Sequence, residues 1–369
     1  MMKEILIILT IVSLLYACEN RSKRVSNKLV DEFPVTYNVK GEVMNTVKYL
    51  QINSLMLFDT LLVVISQHQS SYFQVYSTVT EKLVGSFSGK GRGPGEFLSM
   101  DLVKNGGGSD RLLLHAFDWT NQSITKINIS KCIQENKFIF ERSRLEINGD
   151  NRSIETVLSI TDDVIIFREV DQKTAFSILF IDSSRIIEVP YGIPREDFII
   201  LDKHKSPVFF ATGVAINSEL RKIAYGPYLI GQLDIFSLDG NPLSSSLYVK
   251  PLEMRRILEE YYSNENLSNY IRYNMHLTSD EKSIYILNDN YRFGLIPEST
   301  DSKKMTSIPK PEIVGHTNEL LVFDWNGNPV KKILFDRFIS DYTIDSKRRI
   351  IYAKCHYPFE SDVIVRYNF

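Results

Sequence analysis

The sequence predicts an all-β protein, a six-bladed β-propeller, from three observations. Most of the chain consists of short runs rich in β-branched and aromatic residues, separated by turn residues. The hairpin signal Asp239-Gly240 and the residues around it recur at Asn326-Gly327. The last repeat unit lacks one strand, and a spare strand precedes the first unit. A closed ring of four-stranded sheets accounts for all three observations.

Division of the chain into units of four strands gives five complete units and a sixth with three strands. The predicted strands of units 1, 2 and 3 are 47–53, 61–66, 72–77 and 83–88; 98–104, 111–118, 123–129 and 142–148; and 153–160, 163–170, 175–182 and 186–191. Those of units 4, 5 and 6 are 211–219, 222–228, 232–239 and 243–250; 273–280, 283–288, 319–325 and 329–335; and 340–346, 349–355 and 363–369.

The missing strand of unit 6 is predicted at residues 33–39, near the other end of the chain. Apolar residues alternate there, from Phe33 to Val39, as they do in a half-buried strand. Pairing of this segment with unit 6 would close the ring and remove an open sheet edge.

One helix is predicted in the connection 251–272 between blades 4 and 5. Pro251 suits the first helical position, and Met254, Ile257, Leu258 and Tyr261 follow at helical spacing. We expect this stripe to pack against the blades. Connections between blades, and between the second and third strands within a blade, share one face of a propeller. The insertion 289–318 in blade 5 and the connection 192–210 are therefore expected on the same face as the helix.

The start of the chain predicts export. Lys3 precedes an apolar run at residues 5–15, which is too short to span a bilayer and indicates a signal peptide at residues 1–17. Cys18 follows directly, as the expected site of lipidation. Residues 18–32 are polar and mixed in charge, so we expect a lipidated flexible tether, with the propeller domain at residues 33–369.

Four glycines occupy alternate positions in Gly89-Lys90-Gly91-Arg92-Gly93-Pro94-Gly95-Glu96-Phe97, so this stretch is a loop. It could bind a ligand through Arg92, Glu96 and the glycine amides. The structural interpretation, which we favour, has Glu96 accepting hydrogen bonds from loop amides and Phe97 wedged between two sheets. The spacing fits neither a dinucleotide fingerprint nor a phosphate-binding P-loop, and Phe87 stands where a hydrolase elbow needs serine.

The signal with Leu15-Tyr16-Ala17-Cys18, the six units, and Tyr72 to Ser77 leading to Gly93-Pro94-Gly95-Glu96-Phe97 resemble the TolB-like six-bladed propeller lipoproteins of bacteria. This resemblance implies a membrane-anchored protein of the cell envelope, facing the periplasm or the cell surface. It implies a binding or scaffolding role and supplies no catalytic residues.

Polar and aromatic residues on the elaborated face are the expected ligand contacts. The ligand-binding candidates are Arg92, Glu96, Arg255, Tyr291, Arg292 and His316; Trp119, Arg195, His204 and Tyr357 lie on the same set of loops. We expect the site at the junction of blades 4 and 5, where cationic and aromatic side chains suit an anionic or sugar-like ligand.

No cofactor is expected. The alternative is a Ca²⁺ or Mg²⁺ ion on the propeller axis, held by oxygen ligands from the inner strands. The candidates for that ring are Asp101, Glu155, Asn274 and Asp341. Cys132 and Cys355 have no metal-ligand spacing and are expected to be small buried side chains.

The formal net charge of −2, with both signs interspersed, argues against nucleic acid as a partner. The functional hypothesis is therefore an exported, lipid-anchored binding or scaffolding module whose ligand is an envelope protein, a peptide or a glycan fragment. A metal-dependent propeller hydrolase or lyase is the alternative. The absence of a recognisable catalytic set in the sequence favours a protein that is not an enzyme.

Overall fold

The structure is a computed structural model, and the described part of the chain is 25–45, 51–66, 71–105, 113–145, 147, 153–170, 173–193, 195, 198–209, 211–227, 229–264, 273, 276–288, 317–355 and 361–369. The expected signal peptide and the lipidation site Cys18 lie outside these residues. So do Asn274, Tyr291, Arg292, His316 and Tyr357.

Six antiparallel blades form the predicted propeller, and three N-terminal strands are added to it. The N-terminal strands are β1 (Ser26–Leu29), β2 (Thr36–Val39) and β3 (Gly41–Val43). Blades 1 and 2 consist of β4 (Ser54–Phe58), β5 (Leu61–Ile65), β6 (Phe73–Ser77) and β7 (Leu83–Phe87), and of β8 (Asp101–Asn105), β9 (Leu113–Asp118), β10 (Ser123–Asn128) and β11 (Phe140–Arg144).

Blades 3 and 4 follow at regular spacing. They consist of β12 (Ile154–Ile160), β13 (Val164–Glu169), β14 (Phe176–Phe180) and β15 (Arg185–Val189), and of β16 (Ala211–Asn217), β17 (Lys222–Pro227), β18 (Gln232–Ser237) and β19 (Pro242–Leu247). The inner strands β8 and β12 also pair in parallel over a short stretch, which joins blades 2 and 3 into one sheet.

Blades 5 and 6 complete the ring. They consist of β20 (His276–Ser279), β21 (Ser283–Leu287), β22 (Thr317–Asp324) and β23 (Pro329–Ile339), and of β24 (Asp341–Asp345), β25 (Ile350–Cys355) and β26 (Val363–Asn368). Blade 6 takes its fourth strand from β3. The core lies between neighbouring blades, because the middle strands bury side chains on both faces.

The repeated hairpin turns show why glycine is needed. Gly240 and Gly327 have φ of 78° and 77°, a left-handed conformation that side chains other than glycine rarely adopt. Each turn also packs closely on the preceding blade, so a Cβ at Gly240 would meet Ile187 and one at Gly327 would meet Ser246. The repeat in the sequence therefore marks a contact between blades as well as a turn.

The predicted closure is present, but it uses a different segment from the one expected. Gly41–Val43 pairs antiparallel with β26 and closes blade 6. Residues 33–39 had been predicted for this role; instead Thr36–Val39 adds a fifth, parallel strand to blade 5, beside β23. The alternation of apolar residues indicated a strand correctly, but it carries no information about which sheet edge the strand joins.

Part of the expected flexible tether is ordered on the propeller. Ser26–Leu29 pairs in parallel with β19 and becomes the fifth strand of blade 4. Lys28 Nζ also donates to the carbonyl of Asn326, at 2.6 Å, in the hairpin turn of blade 5. Polar composition had suggested a loose segment, yet backbone pairing at a sheet edge needs no apolar side chains.

Three helices are present among the described residues: α1 (Ile129–Glu135), α2 (Lys205–Val208), which follows a 3₁₀ turn at Asp202–His204, and α3 (Pro251–Asn264). The helix α3 was predicted, whereas α1 was not; it shares only Ile129 with the strand predicted at 123–129. Asn128 caps α1 by accepting from Lys131 N, and Asn136 ends it in the left-handed conformation. None of the described helices is long and apolar enough to cross a membrane.

The first strand of blade 1 also differs from the prediction. It was expected at 47–53, whereas β4 begins at Ser54 and ends at Phe58. The predicted segment 47–53 contains Val47, Tyr49 and Ile52, which have a stronger strand preference than Met56 and the two leucines of Ser54–Phe58. Tertiary pairing with β5 decides its conformation.

Candidate functional site: the top face

We call the side of the ring at which the innermost strand of each blade begins the top face. Neighbouring strands in a blade alternate in direction, so the connections between blades also lie on this face. The glycine stretch 89–97, the segment around α2 and the helix α3 are such connections. The hairpin turns at Gly240 and Gly327 belong to the opposite face.

The glycine stretch has the structural role that we favoured from the sequence. Glu96 Oε2 accepts a hydrogen bond from Gly93 N at 2.7 Å, and Phe97 is fully buried between blades 1 and 2. A side chain at Gly91 would overlap the Glu96 carboxylate. The glycines therefore leave room for the internal acceptor that their own amides require.

Arg142 supports the same loop and was not found from the sequence. Its guanidinium lies 4.7 Å from the centre of the Phe97 ring and donates to the Glu96 carbonyl at 2.9 Å. It also donates to Thr125 Oγ1 on the neighbouring strand. Because Arg142 lies 46 residues from Glu96 in the chain, local sequence patterns give no signal for this contact.

The top of blades 3 and 4 is covered by a structure that we call the cap, formed by the described residues between 190 and 209 and by the helix α3. The predicted stripe of α3 is confirmed as a packing face, since Met254, Ile257, Leu258 and Tyr261 are buried. They join one hydrophobic cluster with Phe198, Val208 and Phe209 from the other half of the cap. The cap is therefore an extension of the propeller core.

The ligand-binding candidates that the structure describes do not form one cluster. Arg92 and Glu96 lie at the junction of blades 1 and 2, and Arg255 lies on α3 at the junction of blades 4 and 5. In a six-membered ring these junctions are on opposite sides of the axis. Arg92 and Arg255 are exposed, while the Glu96 carboxylate is bound to its own loop. Tyr291, Arg292 and His316 lie outside the described residues, so the expected site at that junction stays a prediction.

Ionisable side chains collect where the inner strands begin, around the top opening of the axis, which we call the mouth. Asp101 begins β8 and is exposed, although surrounding protein atoms raise the pKa of its carboxyl by desolvation. Glu155 is the second residue of β12, and its Oε2 lies 3.4 Å from Arg168 Nη2. His276 begins β20 and Asp341 begins β24.

Asp341 links three blades at the mouth. It is only 2% exposed, and its Oδ2 accepts a hydrogen bond from Leu55 N in blade 1 at 2.8 Å. Its Oδ1 lies 3.5 Å from His276 Nδ1 in blade 5. The carboxylate that was considered as a metal ligand is thus engaged in joining the last blade to the first.

Within the part of the chain that the structure describes, no group of three or more His, Cys, Asp or Glu side chains is placed to hold a metal ion. Asp101, Glu155 and Asp341 lie on three different blades, and the fourth candidate, Asn274, lies outside the described residues. The metal alternative therefore stays a prediction.

A buried carboxylate that the sequence did not indicate holds the cap in place. Asp234, in β18, accepts from Ile193 N at 2.9 Å and from Gln232 Nε2 at 2.7 Å. Gln232 Nε2 also donates to the Ile193 carbonyl. Burial raises the pKa of Asp234 to about 6 despite these hydrogen bonds and the nearby charge of Arg195. The cap is thus tied to blade 4 through a titratable group.

Both described cysteines are free and buried, as predicted. Burial raises the pKa of the Cys355 thiol to about 12, and the thiol of Cys132 is shifted in the same direction for the same reason. Neither side chain has the exposure or the lowered pKa of a reactive cysteine.

Comparison with known proteins supports the same architecture. The sequence pattern of the family described as TolB-like 6-blade propeller-like matches residues 33–198. The predicted family resemblance is confirmed. A member of the DUF4221 family from Bacteroides vulgatus has a similar structure, with a TM-score of 0.54 and 12% identity over 90% of this chain and 97% of that one.

A protein from Bacteroides fragilis whose description is that of a tentative exported protein is also similar, with a TM-score of 0.51 and 12% identity. The alignment covers 93% of this chain and 98% of that one. None of the curated proteins matches the sequence. At such low identity, the two structural similarities show the propeller fold alone and leave the function to the residues of this chain.

Proposed function

We propose that this protein is an exported, lipid-anchored β-propeller of the bacterial cell envelope, and that it acts as a binding or scaffolding module with its ligand site on the top face. The signal at residues 1–17 followed by Cys18 supports export and anchoring. The similarity to a TolB-like propeller fold and to an exported Bacteroides protein supports the same location.

The observation that carries the proposal is the mouth. Asp101, Glu155 and His276 lie at or next to the starts of three inner strands, and therefore around one end of the axis. Binding sites commonly use a few polar groups that converge on the ligand.

The charges of the mouth indicate which ligands to test. Asp101 is an exposed carboxylate, and the Glu155 side chain is 41% exposed. Carboxylates accept hydrogen bonds from hydroxyl and ammonium groups. Glycan fragments and short peptides, the classes expected from the sequence, both carry such donors.

Calorimetric titration of the purified protein with short chito-oligosaccharides, cello-oligosaccharides and lysine-containing peptides tests the proposal. We expect at least one class to bind, and Asp101→Asn to weaken its affinity about 10- to 100-fold, because a charge-assisted hydrogen bond contributes about 1.5–3 kcal/mol.

The matched control is Asp239→Asn, which removes an exposed carboxylate on the opposite face that pairs only with Arg185 and Arg221 among its described neighbours. It should leave the affinity unchanged. If both variants weaken binding equally, or if Asp101→Asn has no effect on a ligand that binds, the mouth is not the site.

A further inference from the structure

Three blades share an irregularity in their outermost hairpin. The pairing of β18 with β19 in blade 4 skips one residue, Leu243, and that of β22 with β23 in blade 5 skips Val330. In blade 1 the pairing of β6 with β7 skips Val84 in the same way, close to the hairpin turn. Such a β-bulge bends the outer strand. The outer hairpins of blades 2 and 3 pair without a shift, so the feature is particular to blades 1, 4 and 5.

Two of these three bulged edges carry a fifth strand. The strand β1 runs parallel to β19, and β2 runs parallel to β23. Both pair with the outer strand beyond its bulge, at residues 244–247 and 332–335. The pairing uses backbone groups, as where Lys332 N donates to the carbonyl of Val35 at 2.8 Å. A bulged outer strand of this propeller thus accepts an extended segment alongside it.

The third bulged edge, on β7, is open in the described part of the chain, where β7 is the last strand of its sheet. Its strand residues, Leu83–Phe87, include no charged side chain. Leu83 is 52% exposed and Val84 is 38% exposed. An uncovered strand edge beside exposed aliphatic side chains is a template for pairing with another strand.

The open edges of blades 2, 3 and 6 have a different character. They are β11, β15 and β3, and each carries charged side chains, which discourage pairing with another chain. The charged residues are Glu141, Arg142 and Arg144 in β11, Arg185 and Glu188 in β15, and Glu42 in β3. Among the described outer edges, β7 alone is bulged, uncharged and without a fifth strand.

Ser86 directs its backbone groups toward this open side. Thr78 N donates to the carbonyl of Thr60 at 2.8 Å, so Thr78 faces β5 rather than β7. The direction of the backbone groups repeats every second residue, so Gln74 also faces β5. Ser86 is opposite Gln74, and the backbone groups of this pair point away from each other. The N–H and C=O of Ser86 therefore have the orientation of those that bind β2 in blade 5.

We propose that the outer edge of blade 1 is a docking site for an extended segment of a partner protein, which adds a fifth strand parallel to β7. The segment pairs with residues 85–88, the counterparts of 244–247 in blade 4. The exposed Leu83 and Val84 favour a segment with uncharged, partly apolar side chains, as in Thr36–Val39 of β2. The site is on the outer wall of the ring, and it depends neither on the mouth nor on the lipid anchor.

Fluorescence anisotropy of a labelled peptide with the full-length protein provides the test. The probe has the sequence of residues 34–40, which contains β2. We expect it to bind wild type, and Ser86→Pro to weaken its affinity about tenfold, because proline removes the outward N–H and its ladder hydrogen bond. Proline is tolerated in an edge strand where the N–H faces solvent, so the propeller should stay folded.

Two pairs of variants separate the edge from its surroundings. Ser86→Ala keeps the N–H and should bind the peptide as wild type does. Val84→Lys places a charge on the edge and should weaken binding, whereas Val79→Lys, at a 75% exposed position in the turn before β7, should not. Amide hydrogen exchange should show added protection at residues 85–88 when the peptide binds.

Three results would overturn the proposal. The first is that the peptide does not bind wild type. The second is equal affinity for wild type and Ser86→Pro, which would show that the peptide replaces β2 on blade 5 or binds elsewhere. The third comes from analytical ultracentrifugation: self-association of wild type that Ser86→Pro and Val84→Lys abolish, without peptide binding, would show that two copies of the chain pair through β7, and the assignment to a partner protein is wrong.

Discussion

Replacement of Asp234 by Asn should change how the stability of the protein depends on pH. Burial raises the pKa of this carboxyl from 3.8 to about 6 in the folded protein. The folded state therefore binds the proton more tightly than the unfolded chain does. The contribution of protonated Asp234 to stability is fully present below pH 4 and is lost as the pH rises through 6.

The magnitude follows from the shift. A change of about two pKa units corresponds to about 3 kcal/mol, at about 1.4 kcal/mol per unit. Asn has the shape of the protonated acid and does not titrate. The difference in free energy of unfolding, wild type minus Asp234→Asn, should thus be about 3 kcal/mol larger at pH 4 than at pH 7.

Urea titrations of both proteins at several pH values between 4 and 7 measure this difference, with the exposed Asp239→Asn as the control. Amide hydrogen exchange at Ile193, whose N–H bonds to Asp234, reports whether the cap is the part that loosens. If wild type and Asp234→Asn show the same pH dependence, Asp234 does not titrate in this range, and the assigned cause is wrong.

Two further predictions concern a buried histidine and the closure of the ring. Burial lowers the pKa of His115 from 6.5 to about 4, so the stability that neutral His115 contributes is present above pH 6.5 and is lost as the pH falls to 4. Because Gln does not titrate, the free energy of unfolding of His115→Gln in urea should fall by about 3 kcal/mol less than that of wild type between pH 6.5 and pH 4. The same pH dependence in both proteins would contradict this. Removal of residues 1–29, which end with β1, should change the melting temperature little. Removal of residues 1–44 also deletes β3 and the buried Val39 and Met44, which should reduce the free energy of unfolding by about 3–6 kcal/mol and lower the melting temperature. A melting temperature equal to that of the shorter truncation would show that β3 does not close the ring.

The number of blades could be predicted because each blade repeats a local pattern. A hairpin such as Asp239-Gly240 needs a residue in the left-handed conformation, so glycine recurs in the sequence at the equivalent turn, as Gly327. The sheet joined by Thr36–Val39 could not be predicted, since parallel pairing with β23 involves residues some 300 positions away and uses backbone groups that every residue has.

The same distinction applies to the top face. The internal role of Glu96 was predictable because its partner, Gly93, lies three residues away in a loop whose amides need an acceptor. Asp234 and Gln232 were not singled out, because their partner Ile193 lies about 40 residues earlier and only the fold brings them together. Ordinary polar residues in a strand give no sign of such burial.

Hydrogen–deuterium exchange of the lipid-anchored protein, with and without the peptide or oligosaccharide that binds in the calorimetric titrations, tests the central claim most directly. A ligand site at the mouth predicts added protection at the starts of β8, β20 and β24, around Asp101, His276 and Asp341. The hairpin turns around Gly240 and Gly327 should show none. Protection confined to those turns would place the ligand on the opposite face and contradict the proposed function.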